Sequence, residues 1–203
     1  MGLIKGGLTL SRYRVLEQPQ AGLTDEYVAE RLARNAFVDI EETMDESSLG
    51  WAQIFNHLGC SFRTENFRFG GFLAFQLRFD ERRLPGKTLN RYFAIALTRH
   101  EEQAGRKLNG VAKRELKESL RSELLGRSLL NTALMEVLWL EESGEVWLCA
   151  SGEKNRALFE DLWGRTFGLA LRLLVPASLA LELTAEKGRE AFLAVKPTDF
   201  WDL

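Results

Sequence analysis

Apolar positions recur at two spacings along the chain, and each spacing predicts a different kind of element. A helical spacing is found after Thr24, through residues 88–104 and 111–125, and again after residue 151. A spacing near two is found in residues 3–15, 67–79 and 132–150, and a short apolar run at 169–175 ends before a proline. The pattern therefore predicts a β-α-β-β-α-α segment followed by a β-β-α-β segment.

Residues that favour caps and turns divide these segments. Thr24 and Ser151 precede helical patterns and are typical N-cap residues. Asn109-Gly110 interrupts the long helical stretch and divides it into two helices. The turn at residues 141–144 predicts a β-hairpin, and the acidic, patternless residues 39–48 predict a surface loop.

The resulting order of elements predicts an α+β fold made of two small sheet-and-helix units joined by a helical arm. We place the β-α-β-β unit at residues 1–84 and the basic two-helix arm at residues 85–128. The β-β-α-β unit and a C-terminal tail, in which Phe200, Trp201 and Leu203 are apolar, occupy residues 129–203. The phenylalanines of residues 67–79 could stack nucleobases, but aromatic strands usually pack inward, so we expect these side chains in the core.

Composition indicates an ordinary globular protein and does not suggest disorder. Of 203 residues, 45% are hydrophobic and 28% are charged. The first residues lack the apolar run of a signal peptide, and no stretch approaches the roughly 18 to 20 apolar residues of a membrane span, so we expect a cytoplasmic protein. Cys60 and Cys149 are far apart in sequence, which favours two reduced thiols.

The charge is distributed unevenly, and this changes the functional expectation. Residues 60–130 hold 15 Lys and Arg against 8 Asp and Glu, a balance of +7, while the rest of the chain holds 12 against 21, or −9. A basic segment in an acidic chain is a hint of a polyanion partner.

The second arm helix can carry cations on one side while its leucines are buried. With Lys113 at 0° on a helical wheel, Lys117, Arg121 and Arg114 fall at about 40°, 80° and 100°. These residues are candidate contacts for DNA phosphates, and the preceding segment can extend them through Arg82, Arg83, Lys87, Arg91, Arg106 and Lys107. The alternative is a solvated helix surface on which Glu115, Glu118 and Glu123 are local partners of these cations.

The chain contains no phosphate-binding glycine loop, nucleophile elbow or zinc-finger spacing, so we predict no catalytic residue, cofactor or metal. His57 and Cys60 are close in sequence, but no second pair completes a metal site. Asp80, Glu115 and Lys117 superficially match the acids and lysine of a metal-dependent nuclease. Residues two apart on a helix point in different directions, however, which argues against that function.

Collinear segments along nearly the whole chain resemble the recombination-associated RdgC family. They include Leu32-Ala-Arg-Asn-Ala-Phe37, Leu49-Gly50-Trp51, Arg83-Leu84-Pro85, Lys113-Arg-Glu-Leu-Lys-Glu-Ser-Leu120 and Leu138-Trp-Leu140. The resemblance implies a non-enzymatic, nucleoid-associated protein that binds DNA with little sequence preference. It also implies restraint of RecA-dependent recombination, a ring-shaped homodimer around the duplex, and DNA-facing charge on Lys113, Arg114, Lys117 and Arg121.

The chain departs from the family pattern in two places. The usual Leu-Leu-Pro-Arg followed by an aromatic is Leu124-Leu-Gly-Arg-Ser-Leu129 here, and the long C-terminal portion of family members has no counterpart. Closure of a ring is therefore left open. A protein-interaction or self-association module without DNA binding, and a metal-dependent nuclease, are the alternative functions.

Overall fold

The computed structural model describes residues 8–17, 19, 22–184 and 186–196. Within these ranges the strands are β1 (Ser11–Val15), β2 (Ser47–Ala52), β3 (Arg68–Phe69), β4 (Phe72–Arg82), β5 (Leu130–Leu140), β6 (Glu145–Leu148) and β7 (Leu171–Leu173). The helices are α1 (Asp25–Arg34), α2 (Thr64–Phe67), α3 (Gly86–Ala104), α4 (Gly110–Gly126), α5 (Glu153–Phe167), α6 (Pro176–Leu183) and α7 (Glu186–Leu193). The first part of the predicted strand over residues 3–15 lies outside the described residues, and its second part is β1. The apolar residues Phe200, Trp201 and Leu203 lie wholly outside the described residues.

The α+β class is confirmed, and the strands on both sides of the arm belong to one antiparallel sheet. Its order is β2-β4-β5-β6-β1-β7, with β3 paired to β4. Strands β4 and β5 pair along their whole length, from Phe72 opposite Leu140 to Arg82 opposite Leu130. The two predicted sheet-and-helix segments therefore share a sheet, and the arm is inserted between two of its central strands.

Most predicted elements are found near their predicted bounds. Thr24 caps α1 by accepting a hydrogen bond from the Tyr27 N–H at 3.2 Å. The two strand pieces in the phenylalanine stretch and the hairpin of β5 and β6 are also confirmed. The Ser151 cap was wrong, because Gly152 is the N-cap residue of α5 and no side chain caps this helix. In the described part of the chain, none of the helices has the length and apolarity to cross a bilayer.

Strand β2 was not predicted, because its sequence Ser-Ser-Leu-Gly-Trp-Ala is poor in β-formers. Gly50 is required here by a close approach of the backbone. A Cβ at this position would lie 2.4 Å from Cα of Phe37, and the neighbouring Trp51 exchanges backbone hydrogen bonds of 2.9 Å with Asn35 and Phe37. Helix α6 was not predicted, because a proline after an apolar run is typical of a strand end. Proline is also favoured in the first turn of a helix, and Pro176 occupies that position in α6.

The core lies between one face of the sheet and helices α1 and α5. Trp51, Phe75 and Trp163 are fully buried, and the ring centroids of Trp139 on β5 and Trp163 on α5 lie 4.8 Å apart. The Trp51 indole N–H donates to the Thr166 hydroxyl at 2.7 Å, so the polar atom of this aromatic side chain is satisfied inside the core. These aromatic contacts fix α5 against the sheet that carries the arm.

A buried ion pair lies on the other face of β4. The Asp80 carboxylate is fully buried and accepts a hydrogen bond of 2.6 Å from the Arg78 guanidinium, which stacks 4.0 Å from the Phe37 ring centroid. Hydrogen bonding to Asp80 raises the pKa of Arg78. Removal of either partner would leave a buried charge unpaired, so this pair is part of the scaffold.

Candidate nucleic-acid interface

The arm consists of α3 and α4, which pack side by side and project from the end of the β4–β5 pair. At 19 residues, α3 is about 28 Å long, and Gly105 ends it in a left-handed conformation with φ of 61°. Leu125 is the buried residue of the two helices; α3 contains none. Because little of its apolar surface is enclosed by the core, the arm presents most of its length to solvent.

The charge of the arm is positive along this exposed length. Residues 86–127 contain 10 Lys and Arg against 5 Asp and Glu. Lys113 and Lys117 lie towards α3: Nζ of Lys113 is 3.5 Å from Glu101, and Nζ of Lys117 is 5.8 Å from the centroid of the Phe93 ring. Two of the four cations of α4 therefore border on α3, whereas Arg121 contacts Glu46.

Five of the predicted cations have no side-chain partner among the described residues. They are Lys87, Arg91, Arg106, Lys107 and Arg114, and all five are exposed. Arg106 and Lys107 lie in the connection between the two helices, at the tip of the arm, and Arg114 lies in the first half of α4. Their charges are thus available to a phosphate without the loss of an internal ion pair.

Cations at the base of the arm are engaged by acids. The Arg121 guanidinium makes two hydrogen bonds to the Glu46 carboxylate, at 2.9 and 3.0 Å, and these contacts raise its pKa. Arg83 donates to Glu81 at 2.6 Å. Exposed pairs of this kind are weak, but a phosphate must displace a carboxylate to reach either cation.

Arg82 has a different environment from the other predicted contacts, because it is buried. Its guanidinium donates to the backbone carbonyls of Asp45 at 3.3 Å, Ser128 at 2.8 Å, Ile40 and Glu41 at 2.9 Å, and Thr43 at 3.2 Å. These bonds join the acidic loop of residues 39–46 to the base of the arm. We therefore leave Arg82 out of the candidate interface, since a buried guanidinium with these partners has no face for a phosphate.

Sequence reasoning named Glu123 as a local partner of the arm cations but missed Glu46 and Glu81, which also lie at the arm base. Glu46 belongs to the acidic run that predicted a loop, but its contact with Arg121 spans 75 positions and leaves no local pattern. Lys154, at 3.4 Å from Glu81, and Arg127, at 2.9 Å from Glu123, were also absent from the predicted set. Only the last of these pairs has the four-residue spacing that identifies a helical ion pair.

The residues considered for metal chemistry are not brought together. Asp80 is engaged by Arg78 in the sheet, whereas Glu115 is exposed on α4. His57 is exposed, and burial raises the pKa of the half-buried Cys60 although the charge of Arg78 opposes this. Among the described residues, no group of three or more His, Cys, Asp and Glu side chains is arranged to hold a metal ion.

The chain was compared with curated proteins and with models of protein families. A search of curated proteins found no match to the chain. A family model described as "Putative exonuclease, RdgC" matches residues 9–178, a range that includes all seven strands, the whole arm and α5.

Proposed function

The chain belongs to the RdgC family, and from this premise we propose that it binds DNA without sequence preference through the exposed cations of its arm. The observation that carries the proposal is a group of five exposed cations on a projecting helical hairpin that have no side-chain partner in the part of the chain that the structure describes. Lys113 and Lys117 add charge on the side of α4 that borders α3.

Such an interface recognises the phosphate backbone. Flexible Lys and Arg side chains on the outside of a helical hairpin bind phosphate oxygens, which are the same for every sequence. Binding releases condensed counterions, so the affinity falls steeply as the salt concentration rises. Neither feature requires a helix that enters the major groove.

A fluorescence-anisotropy titration of a random-sequence duplex against salt tests the proposal. We expect log affinity to fall linearly with log salt, with a slope of about −0.9 for each phosphate contact. A second duplex of unrelated sequence is expected to bind within about threefold, since phosphate contacts carry no base information. Absence of binding at low salt, where these contacts are strongest, contradicts the proposal.

We also propose that the protein acts without catalysis. The acids considered for a nuclease are separated, with Asp80 in a buried ion pair and Glu115 exposed on the arm. Incubation of single- and double-stranded DNA with magnesium or manganese is expected to give no cleavage. Cleavage that depends on the metal and on Asp80 would overturn this part of the proposal.

The finer functions implied by the family resemblance are part of the same proposal. They are association with the nucleoid, restraint of RecA-dependent recombination and homodimerisation. Association with the nucleoid and restraint of recombination require DNA binding, so they are tested after the titration, the latter by strand exchange with RecA. Homodimerisation requires a second copy of the chain and is measured by sedimentation at several protein concentrations.

A protein-interaction function is the second candidate, and one observation favours it. Tyr92 and Ile95 lie three positions apart on α3, and 46% and 48% of their surfaces are exposed. Residues at this spacing share a helix face, so the pair offers an apolar contact to another protein. This function is favoured over DNA binding if the chain self-associates through α3 and binds no DNA at low salt.

Replacement of Glu46 by glutamine is expected to strengthen DNA binding about threefold at low salt. The substitution releases Arg121 for a phosphate and removes a carboxylate from the base of the arm. Glu42→Gln is the matched control, because Glu42 is exposed in the same loop and makes no side-chain hydrogen bond or ion pair among the described residues. Equal gains from the two variants in the anisotropy titration would show that only the loop's total charge matters, and not release of Arg121.

A further inference from the structure

The face of the sheet opposite the core carries a continuous apolar surface at one end. Side chains that alternate along paired strands share a face, so the register places Phe72 beside Leu140, and Leu138 beside Trp147. Phe69 pairs with Phe72 in the same register and extends this surface across β3. We name the surface the aromatic platform; its six residues are Phe55, Phe69, Phe72, Leu138, Leu140 and Trp147.

The platform is accessible to a ligand. Phe55 is 72% exposed and Phe72 is 37% exposed, and the other four side chains are half-buried. On the opposite face, by contrast, Leu73 is fully buried and Trp139 is 3% exposed under the core helices. Adjoining apolar side chains that are exposed on one face of a sheet mark a candidate binding site.

Three rings of the platform, those of Phe55, Phe69 and Phe72, contact one another. The centroid of the Phe69 ring lies 5.5 Å from that of Phe55, at an interplanar angle of 88°, and 6.2 Å from that of Phe72, at 30°. Phe69 thus connects the exposed ring of Phe55 to the sheet. Because four of the six side chains are aromatic, the platform offers flat ring surfaces rather than a purely aliphatic groove.

Arginines on β1 border the platform. In the register, Arg12 lies beside Trp147, and its guanidinium is 5.8 Å from the centroid of the indole. Arg12 and Arg14 contact the same Glu145 carboxylate at 2.9 and 3.3 Å, and the Trp147 indole N–H donates to it at 3.0 Å. One carboxylate therefore positions two guanidinium groups and the indole, and the two arginines with Glu145 keep a net charge of +1 beside the half-buried ring of Trp147.

We propose that the aromatic platform binds single-stranded DNA, with unpaired bases stacked on its rings and the backbone phosphates beside Arg12 and Arg14. The inference rests on the proposed DNA-binding function and adds a second site with a different strand requirement. Bases in a duplex are stacked on one another and cannot lie on a protein ring, whereas every unpaired base can. The arginine border is complementary to the phosphates of such a strand.

The test compares a labelled oligothymidylate of roughly 12 nucleotides with a duplex, on the full chain. Replacement of both Phe55 and Phe72 by alanine is expected to weaken binding of the single strand about 10- to 100-fold and to leave duplex binding within about twofold. Leu134→Ala is the matched control: Leu134 is 42% exposed on the same face, outside the platform, and its replacement is expected to change neither affinity. Thermal melting establishes that each variant folds. If the double variant does not fold, the single variant Phe55→Ala is used in its place.

Tryptophan fluorescence provides a second measurement. Stacking of a base on Trp147 is expected to quench part of the emission on titration with oligothymidylate, and Trp147→Leu is expected to remove that part of the quenching.

Unchanged affinity of the single strand for the Phe55 and Phe72 variants overturns the inference, and so does equal loss of single-strand and duplex binding. If the platform variants alter only self-association, the surface is a contact between copies and the inference is wrong. Duplex binding without single-strand binding contradicts the platform and leaves the arm proposal intact, whereas absence of both contradicts both proposals.

Discussion

Replacement of Arg106, Lys107 and Arg114 together by glutamine is expected to weaken duplex binding at low salt on the order of 100-fold. These cations are exposed at and near the tip of the arm and have no side-chain partner among the described residues, so their full charge acts on a phosphate. The slope of log affinity against log salt is expected to become shallower by about 2.7, at about 0.9 for each lost contact. Anisotropy titrations at several salt concentrations measure both quantities.

The matched control removes three cations that already have partners. Arg83 is paired with Glu81, Arg121 with Glu46 and Arg127 with Glu123, and replacement of the three arginines by glutamine changes the net charge by the same amount. We expect this control to lose only severalfold in affinity, because carboxylates already compete for these cations. Equal losses from the two triple variants would show that DNA responds to overall charge, and the assignment of the contact to the arm tip would be wrong.

The four longest helices, α1, α3, α4 and α5, and the long strands of the fold could be predicted from the sequence, because their signals are local. The cap at Thr24, the break at Asn109-Gly110 and the alternation in β4 and β5 all act over a few residues. Strand β2 could not be predicted in this way. Its place depends on Gly50, whose lack of a side chain allows a distant segment to approach, and this requirement is visible only in the folded chain.

Joining of the two sheet-and-helix segments into one sheet was likewise hidden in the sequence. Strand β4 precedes the helical hairpin in the sequence and β5 follows it. Alternation of apolar residues predicts each strand but does not indicate that the two strands pair. The phenylalanine stretch shows the same limit. Alternation correctly placed Phe75 in the core, but Phe72 belongs to the opposite face and forms part of an exposed surface.

For the candidate site, the sequence predicted which residues are cationic but not which of them are available. The helical wheel placed Lys113, Lys117, Arg121 and Arg114 on one side of α4. Whether an arginine faces solvent, a carboxylate or the interior depends on residues distant in sequence. Arg121 forms an ion pair with Glu46, whereas Arg82 donates hydrogen bonds to backbone carbonyls of the loop at residues 40–45. Two arginines of the same basic segment therefore have different roles.

Replacement of Arg82 by methionine is expected to lower the free energy of unfolding by about 3 to 5 kcal/mol without a specific loss of DNA affinity. Methionine retains much of the apolar stem but donates to none of the five backbone carbonyls that the guanidinium now satisfies. In a chain of this size the loss corresponds to a fall of roughly 10 °C in the melting temperature. Thermal and urea unfolding measure the stability, and anisotropy at a temperature where the variant is folded measures the affinity.

Arg83→Met is the control that distinguishes loss of a buried arginine from loss of a positive charge. Arg83 is the residue after Arg82 and carries the same charge, but it is exposed. Its replacement is expected to change the free energy of unfolding by less than about 0.5 kcal/mol. Arg82→Lys is expected to remain destabilising despite the retained charge, since an ammonium group cannot reach carbonyls on several sides as the planar guanidinium does. If Arg82→Met instead melts like the unmodified protein and loses DNA affinity, Arg82 contacts DNA and its structural role is refuted. The expected pattern, with stability lost at Arg82 and affinity lost at the arm tip, assigns neighbouring cations of one basic segment to folding and to binding.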